Sequence, residues 1–229
     1  MVSTDDRNCF PPVVLLFSRT TGGGTVSHLL NPAPGTKYTS ASSGDWASYL
    51  LRDDGVVCRT TGGGTVAAEI KPPEKTQYVE VAAGESASYF LRSDGVVDRS
   101  KKQGIIQRSI EPPSGCTYTH AAVGMTASYL LRSDGIVDRI SEGGFLEGAN
   151  SGGDITQTMQ CSDKGVKYIS VSGGLGASYL LRDDGKIDRT TGKGVVSDTI
   201  DPPAGVAYTG ISHLLAVTES DKRAGPHVW

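Results

Sequence analysis

The sequence predicts an all-β chain, a β-propeller of about five four-stranded blades built on a 40-residue repeat. Three observations predict it. The string "ASYLLR", once "ASYFLR", starts at Ala47, Ala87, Ala127 and Ala177, so the steps are forty, forty and fifty residues. Tyr38, Tyr78, Tyr118, Tyr168 and Tyr208 keep those steps, and so do Arg19, Arg59, Arg99, Arg139 and Arg189. The 30 glycines and 11 prolines interrupt every window long enough for an amphipathic helix.

The unit starting at Tyr78 shows the elements in order. "YVEVAAG" is the first strand, and its small residues suit the crowded position near the axis. "SASYFLRS" is the second. Asp94-Gly95 follows as a hairpin signal, because glycine accepts a positive φ. "VVDRS" is the third strand. After a Gly-rich break, "GIIQRSI" is the fourth, stopped by Pro112-Pro113, which cannot donate to a ladder. The strands are apolar on both sides, as expected of blades sandwiched between blades.

The ends read as two complementary halves. "ISHLLAV" (residues 211–217) resembles "ASYLLRS" with no Asp-Gly after it, and "VVLLFSR" (residues 13–19) resembles "GVVDR" with nothing before it. A closing blade shared by both termini is expected, which leaves no open edge. The expected organisation is one propeller over residues 1–217, an insertion near 143–158, and a polar tail over 218–229.

Composition narrows the function. The net charge is -3 and no Lys/Arg block stands out, so no nucleic-acid partner is expected. No apolar stretch approaches the roughly 18 residues of a membrane helix, so no membrane insertion is expected. The opening "MVSTDDRNCFPPVVLLF" is acidic where a secretory signal is basic, so no signal peptide is read. Cys9, Cys58, Cys116 and Cys161 form no C-x-x-C pair and suit a reducing compartment, so a soluble intracellular protein is expected.

Several motifs resolve into structure. "TTGGGTV" and "TTGKGVV" lack the helix and the spacing of a phosphate loop and read as turns. Asp54, Asp94, Asp134 and Asp184 each stand singly before glycine, which suits a hairpin and not a calcium loop. His28, His120, His213 and His227 occupy unlike repeat positions, so neither a metal site nor a catalytic triad is expected, and no cofactor. Asp98-Arg99, Asp138-Arg139 and Asp188-Arg189 are adjacent strand residues and point to opposite faces. Each side chain then reaches a neighbouring blade, and an inter-blade ion-pair ladder is expected. Ser18 and Cys58 replace the aspartate in two units, so the arginines are in surplus. Arg59, Arg99, Arg139 and Arg189 are therefore also candidates for a weak anion site.

At "VAAGESASYFLRSDGVVDR" the pattern resembles the regulator of chromosome condensation repeat. The short unit resembles most the related propeller of a bacterial β-lactamase inhibitor protein. The resemblance spans roughly residues 19–217. It departs where Asp-Arg stands in place of the family's Trp-Gly, and where five units stand in place of the usual seven. It implies that the connection between first and second strands lies on the partner-binding face and often bears aromatics. That connection holds Asp45-Trp46, Glu85-Ser86, Met125-Thr126 and Leu175-Gly176, of which Trp46 matches best by position.

These pairs vary while their flanks repeat, and the insertion adds Phe145 and Leu146. Loops on a rigid scaffold are where binding concentrates. The expected function is a non-catalytic protein–protein interaction module, a scaffold, subunit or inhibitor-like binder. Its expected partner-binding residues are Asp45, Trp46, Glu85, Met125, Leu175, Phe145 and Leu146. The alternatives are a lectin with a glycan as ligand and a nucleotide-exchange-type regulator. Sugar pockets would repeat, and Tyr49, Tyr89, Tyr129 and Tyr179 do repeat, but inside a strand that reads as core.

Overall fold

A computed structural model describes residues 17–20, 26–44, 47–60, 65–84, 87–101, 104–141, 153–174, 176–212 and 215–219, with backbone alone for 17–20, 26–29 and 215–219. Among them lie four four-stranded antiparallel sheets and two two-stranded ones. The first two-stranded sheet pairs β1 (Phe17–Thr20) with β2 (Val26–Leu30). Blade 1 comprises β3 (Tyr38–Ser43), β4 (Ser48–Arg52), β5 (Val57–Thr60) and β6 (Val66–Ile70). Blade 2 comprises β7 (Tyr78–Ala83), β8 (Ser88–Arg92), β9 (Val97–Ser100) and β10 (Ile106–Ile110). Blade 3 comprises β11 (Tyr118–Val123), β12 (Ala127–Arg132), β13 (Val137–Ser141) and β14 (Ile155–Met159). Blade 4 comprises β15 (Tyr168–Ser172), β16 (Ala177–Arg182), β17 (Ile187–Thr191) and β18 (Val196–Ile200). The second two-stranded sheet pairs β19 (Ala207–Ser212) with β20 (Leu215–Glu219).

Two boundaries differ from the sequence reading. Ile155–Met159 form β14 against β13, so the extra length of blade 3 lies between Ser141 and Gly153 and not across 143–158. "ISHLLAV" is not one strand: Ile211 and Ser212 finish β19, and β20 starts at Leu215 and runs to Glu219. Ser212 pairs with Leu215.

The hairpins form as the dipeptides predict. Gly55, Gly95, Gly135 and Gly185 sit at φ between +80° and +84°, a region costly for any residue with a Cβ. The preceding carboxylate fixes the turn by accepting a main-chain N–H two residues on, as Asp94 does from Val96 at 3.2 Å. Each hairpin also docks the next blade. Gly55, Gly95, Gly135 and Gly185 present carbonyls to the N–H groups of Tyr78, Tyr118, Tyr168 and Tyr208 at 2.9–3.1 Å.

The core lies between blades, because side chains alternate across each sheet. Ala47, Tyr49, Leu51, Val57 and Ile70 of blade 1 pack against Tyr78, Val81 and Phe90 of blade 2. The same set recurs one blade on, from Ala87, Tyr89, Leu91, Val97 and Ile110 to Tyr118, Ala121, Leu130 and Ile140. Leu30 of β2 packs on the opposite face of blade 1, against Tyr38, Leu50 and Cys58. The described residues include no helix long and apolar enough to cross a membrane.

Candidate functional site

Each blade carries a buried polar network that the sequence reading paired wrongly. Asp98, Asp138 and Asp188 are at most 2% exposed, and an unpartnered carboxylate there would be costly. Their partners come from the same blade, so the expected inter-blade ion-pair ladder does not form. Asp98 accepts from Tyr78 Oη at 2.8 Å and Ser109 Oγ at 2.6 Å, with Arg92 Nη1 at 3.6 Å. Asp138 accepts from Tyr118 at 2.9 Å and Thr158 at 3.0 Å, and Asp188 from Tyr168 at 2.8 Å and Thr199 at 2.7 Å. The cation is therefore the arginine ending "ASYLLR", not the one following Asp. Burial, then the hydrogen bond to Asp, pushes the phenol pKa of Tyr78, Tyr118 and Tyr168 well up.

Blade 1 solves the same problem differently. Cys58 stands where the others have Asp, and its register partner is Glu69, where the others have Ser or Thr. Arg52 pairs with Glu69 as well as with Asp54. The carboxylate has moved one strand outward, and the guanidinium follows it. Burial first, then Cys58, pushes the Tyr38 phenol up to about 12.

The arginines of the Asp-Arg pairs do reach the next blade, but they meet main chain. A Cβ placed on Gly104 would lie 3.0 Å from Arg59 Cδ, one on Gly153 2.9 Å from Arg99 Cδ, and one on Gly194 2.7 Å from Arg139 Cδ. Each glycine belongs to the third-to-fourth-strand hairpin of the following blade and has positive φ. Arg139 donates to the Gly192 carbonyl across the seam and to Thr156 Oγ1 at 3.1 Å within its own blade. Arg99 donates to Tyr89 Oη at 3.2 Å and Gln107 Oε1 at 2.8 Å and is 3% exposed. The structure thus places Arg59, Arg99 and Arg139 one to a seam. Arg189 is exposed and donates to Ser197 Oγ at 3.3 Å in its own blade.

The variable connections leave from the end of the blades that also carries these hairpins. Their flanks are crowded near the axis. A Cβ on Gly44 would lie 2.4 Å from the Gly84 carbonyl oxygen, and one on Gly124 2.8 Å from that of Gly174. The N–H groups of Gly44, Gly84 and Gly124 donate to the carbonyls of Ala47, Ala87 and Ala127 at 2.8–3.0 Å, closing two-residue tips. Of the expected partner-binding residues, Met125 is described. Its side chain is 45% exposed and its N–H donates to Gly174 at 3.2 Å. Asp45, Trp46, Glu85, Leu175, Phe145 and Leu146 lie outside the described residues. Tyr49, Tyr89 and Tyr129 are core residues, at most 2% exposed, and so line no sugar pocket.

One polar pair between blades had no signal in the repeat. Glu80 Oε2 lies 2.8 Å from His120 Nδ1, and Glu80 Oε1 accepts from Ala121 N at 2.9 Å. The hydrogen bond to Glu80 raises the His120 pKa.

No family model matches the sequence, and no curated protein matches it. Solved structures do match. Human WBSCR16 aligns with a TM-score of 0.64 at 13% identity, over 89% of this chain and 64% of that one. Virginiamycin B lyase from Staphylococcus aureus gives 0.59 at 19%, over 83% and 64%. Yeast RCC1 (Prp20) bound to Kap60 gives 0.57 at 15%, over 79% and 53%. The chain spans between about half and two thirds of the length of these structures. The fold of this chain is a β-propeller like those of human WBSCR16, yeast RCC1 and virginiamycin B lyase.

Proposed function

We propose that the chain is a five-bladed ring, closed by a blade that β19–β20 and β1–β2 build together, and that it works as a non-catalytic protein-interaction module. The face that binds is the one carrying the two-residue tips. The observation that carries this reading is Met125, an exposed apolar side chain on a tip whose flanks are locked. Flanks that repeat serve packing; tips that differ serve one asymmetric partner. Trp46 is the strongest anchor among the tips, since buried tryptophan dominates interface energetics. The yeast neighbour was solved bound to the protein Kap60, which is consistent with a protein partner for this fold. Cys58, Cys116 and Cys161 are free thiols, which suits a reducing compartment.

A lyase has the same fold, so the fold itself does not choose between binding and catalysis. The His120–Glu80 pair is the described histidine–carboxylate contact, and Glu80 is engaged by the main chain of the next blade. That pair reads as a seam between blades.

The test is face-specific crosslinking. A photoreactive side chain is placed at Met125, at Trp46, or at Val79 on the opposite end of the blades, and adducts are recovered from cells. The reading expects one protein crosslinked from Met125 and Trp46 and not from Val79. Equal or stronger capture from Val79 would contradict it.

A further inference from the structure

The four Asp-Gly hairpins share one backbone, and one of them is held differently. Asp54, Asp94, Asp134 and Asp184 are similarly open to water, with side chains 30–38% exposed. Each Oδ1 accepts a main-chain N–H two residues on at 3.1–3.3 Å. Each following glycine donates its N–H to the arginine carbonyl three residues back at 2.9–3.1 Å. In blades 1, 2 and 4 that arginine also grips the carboxylate at two points, which fixes its orientation. Arg52, Arg92 and Arg182 donate through Nε to Oδ1 at 3.0–3.1 Å and through Nη2 to Oδ2. In blade 3 the grip has one point. Arg132 reaches Asp134 through Nη2, and its Nε is buried with no acceptor among the described residues.

The difference does not lie in the hairpin itself, because blades 2 and 3 both read Arg-Ser-Asp-Gly there. It lies in the turn before the first strand. Thr36 and Thr76 keep their hydroxyls within that turn, donating to the carbonyls of Ala33 and Pro73 at 2.7 Å. Val166, at the same place in blade 4, has no polar side-chain atom to offer. Blade 3 has Cys116 there. Its thiol, a weak donor, donates to Asp134 Oδ2 at 3.3 Å, and Arg132 Nη2 lies 3.8 Å from the sulfur. The thiol thus shares the end of the guanidinium that holds Asp134, and the contact from Nε to Oδ1 is missing.

We infer that Asp134–Gly135 is the hairpin of this protein that converts to isoaspartate. Aspartate before glycine is a reactive setting for this change, because glycine leaves its main-chain nitrogen uncrowded. Gly135 N bonds to Asp134 Cγ, the Cγ–Oδ2 bond breaks, and Oδ2 leaves as water. That water carries the amide proton and one proton from the Cys116 thiol, which solvent restores. A second water opens the resulting imide at either carbonyl and returns a proton to solvent. Opening at the main-chain carbonyl routes the chain through the side chain. The one-point grip leaves Asp134 the freest of the four to turn Cγ toward that nitrogen. The product adds a methylene to the main chain where the hairpin docks the next blade, at the Gly135 carbonyl that accepts from Tyr168 N at 3.1 Å. The seam between blades 3 and 4 is thereby the one that ages.

Ageing the full chain in neutral buffer tests it, with Cys116→Thr aged in parallel. A protease that cuts before aspartate but not before isoaspartate, followed by mass spectrometry, measures isoaspartate at each hairpin. In the folded wild type, Asp134 should carry at least roughly fivefold more than Asp94, the factor that one hydrogen bond is worth. Cys116→Thr copies blades 1 and 2 and should bring Asp134 down to the level of Asp94. The wild type aged in denaturant should isomerise Asp94 and Asp134 alike. Equal amounts at the four sites of the folded chain, or more at Asp94 than at Asp134, would overturn the inference, whatever the variant does. So would an excess at Asp134 that persists in denaturant or survives Cys116→Thr, because the cause would then lie outside the contact between the thiol and the carboxylate.

Discussion

Blades 3 and 4 carry the same string, "ASYLLR", and bury it to different extents. Tyr129 is 1% exposed; Tyr179, at the same place in blade 4, is half-buried. Arg139 spans a seam, and Arg189 faces outward. The two sequences are locally alike, so the difference comes from the neighbouring sheet. Blade 3 has four strands after it and blade 4 has two. In a propeller a residue's burial is decided by the next repeat, not by its own.

The largest effect should come from removing a two-stranded half-blade. Deleting residues 1–30 takes β1–β2 away from blade 1. It uncovers Tyr38, Leu50 and Cys58 and leaves Leu30 absent from their cluster. Buried side chains of this size contribute about 1.5–3 kcal/mol each, against a typical domain stability of about 5–15 kcal/mol. The truncated chain should aggregate or lose its cooperative thermal transition. A cooperative melt close to that of the full chain would break the argument that blade 1 needs this neighbour.

Next in size is the buried carboxylate. Asp138→Ala leaves Tyr118, Thr158 and Arg132 without their common acceptor. Arg132 keeps Asp134, so the loss is that of the acceptor of two hydroxyls, about 1–3 kcal/mol for each one left unsatisfied. Blade 1 suggests a sharper experiment. Asp138→Cys should destabilise, and adding Thr158→Glu should restore part of the loss, because it copies the Cys58/Glu69 arrangement. Denaturant titration of the two singles and the double gives the coupling. Strict additivity would mean that Glu69 does not take over the role of the missing aspartate.

A smaller loss is expected at the seam between blades 3 and 4. Arg139→Ala removes the contact to Gly192 and Thr156 and should cost about 1–3 kcal/mol. Gly194→Ala should cost a similar amount, since φ is +76° and a Cβ would meet both Gln157 and Arg139. An unchanged melting temperature for both would mean that this seam does not depend on the contact between Arg139 and the β17–β18 hairpin.

The smallest effect concerns pH. Glu80 raises the His120 pKa above its usual value of about 6.5. A raised pKa in the folded state stabilises the fold fully below the unfolded value, and the contribution is lost as pH rises through the folded one. Imidazole titration by NMR should show the elevated value, and Glu80→Gln should lower it. A midpoint indifferent to Glu80→Gln would separate the two side chains.

Much of this was legible because repeats average out local ambiguity. Four strands per unit, the Asp-Gly hairpins and the Pro-Pro stops all follow from residue chemistry at fixed spacing, and the sheets bear them out. The polar network was misread for a physical reason. Alternation sends Asp98 and Arg99 to opposite faces, as read, but the carboxylate is met inside its own blade by Tyr78 and Arg92 and not by a neighbouring blade. A signal for it existed: Cys58 and Glu69 depart from the repeat in the same unit. The glycines of the third-to-fourth-strand hairpins were read as turn formers, and their closeness to an arginine of the preceding blade is a three-dimensional fact. The tips were legible as variation between repeats, and of the expected partner-binding residues Met125 has a described position.

The most direct test of the central claim is the ladder that would join β20 to β1. NMR of the uniformly labelled, deuterated chain can detect amide–amide contacts between residues 215–219 and 17–20. A closed ring predicts cross-strand contacts between these segments in a monomer of 24.0 kDa, unchanged in intensity when unlabelled chain is mixed in. No contacts, or contacts that weaken on mixing because they join different chains, would contradict it.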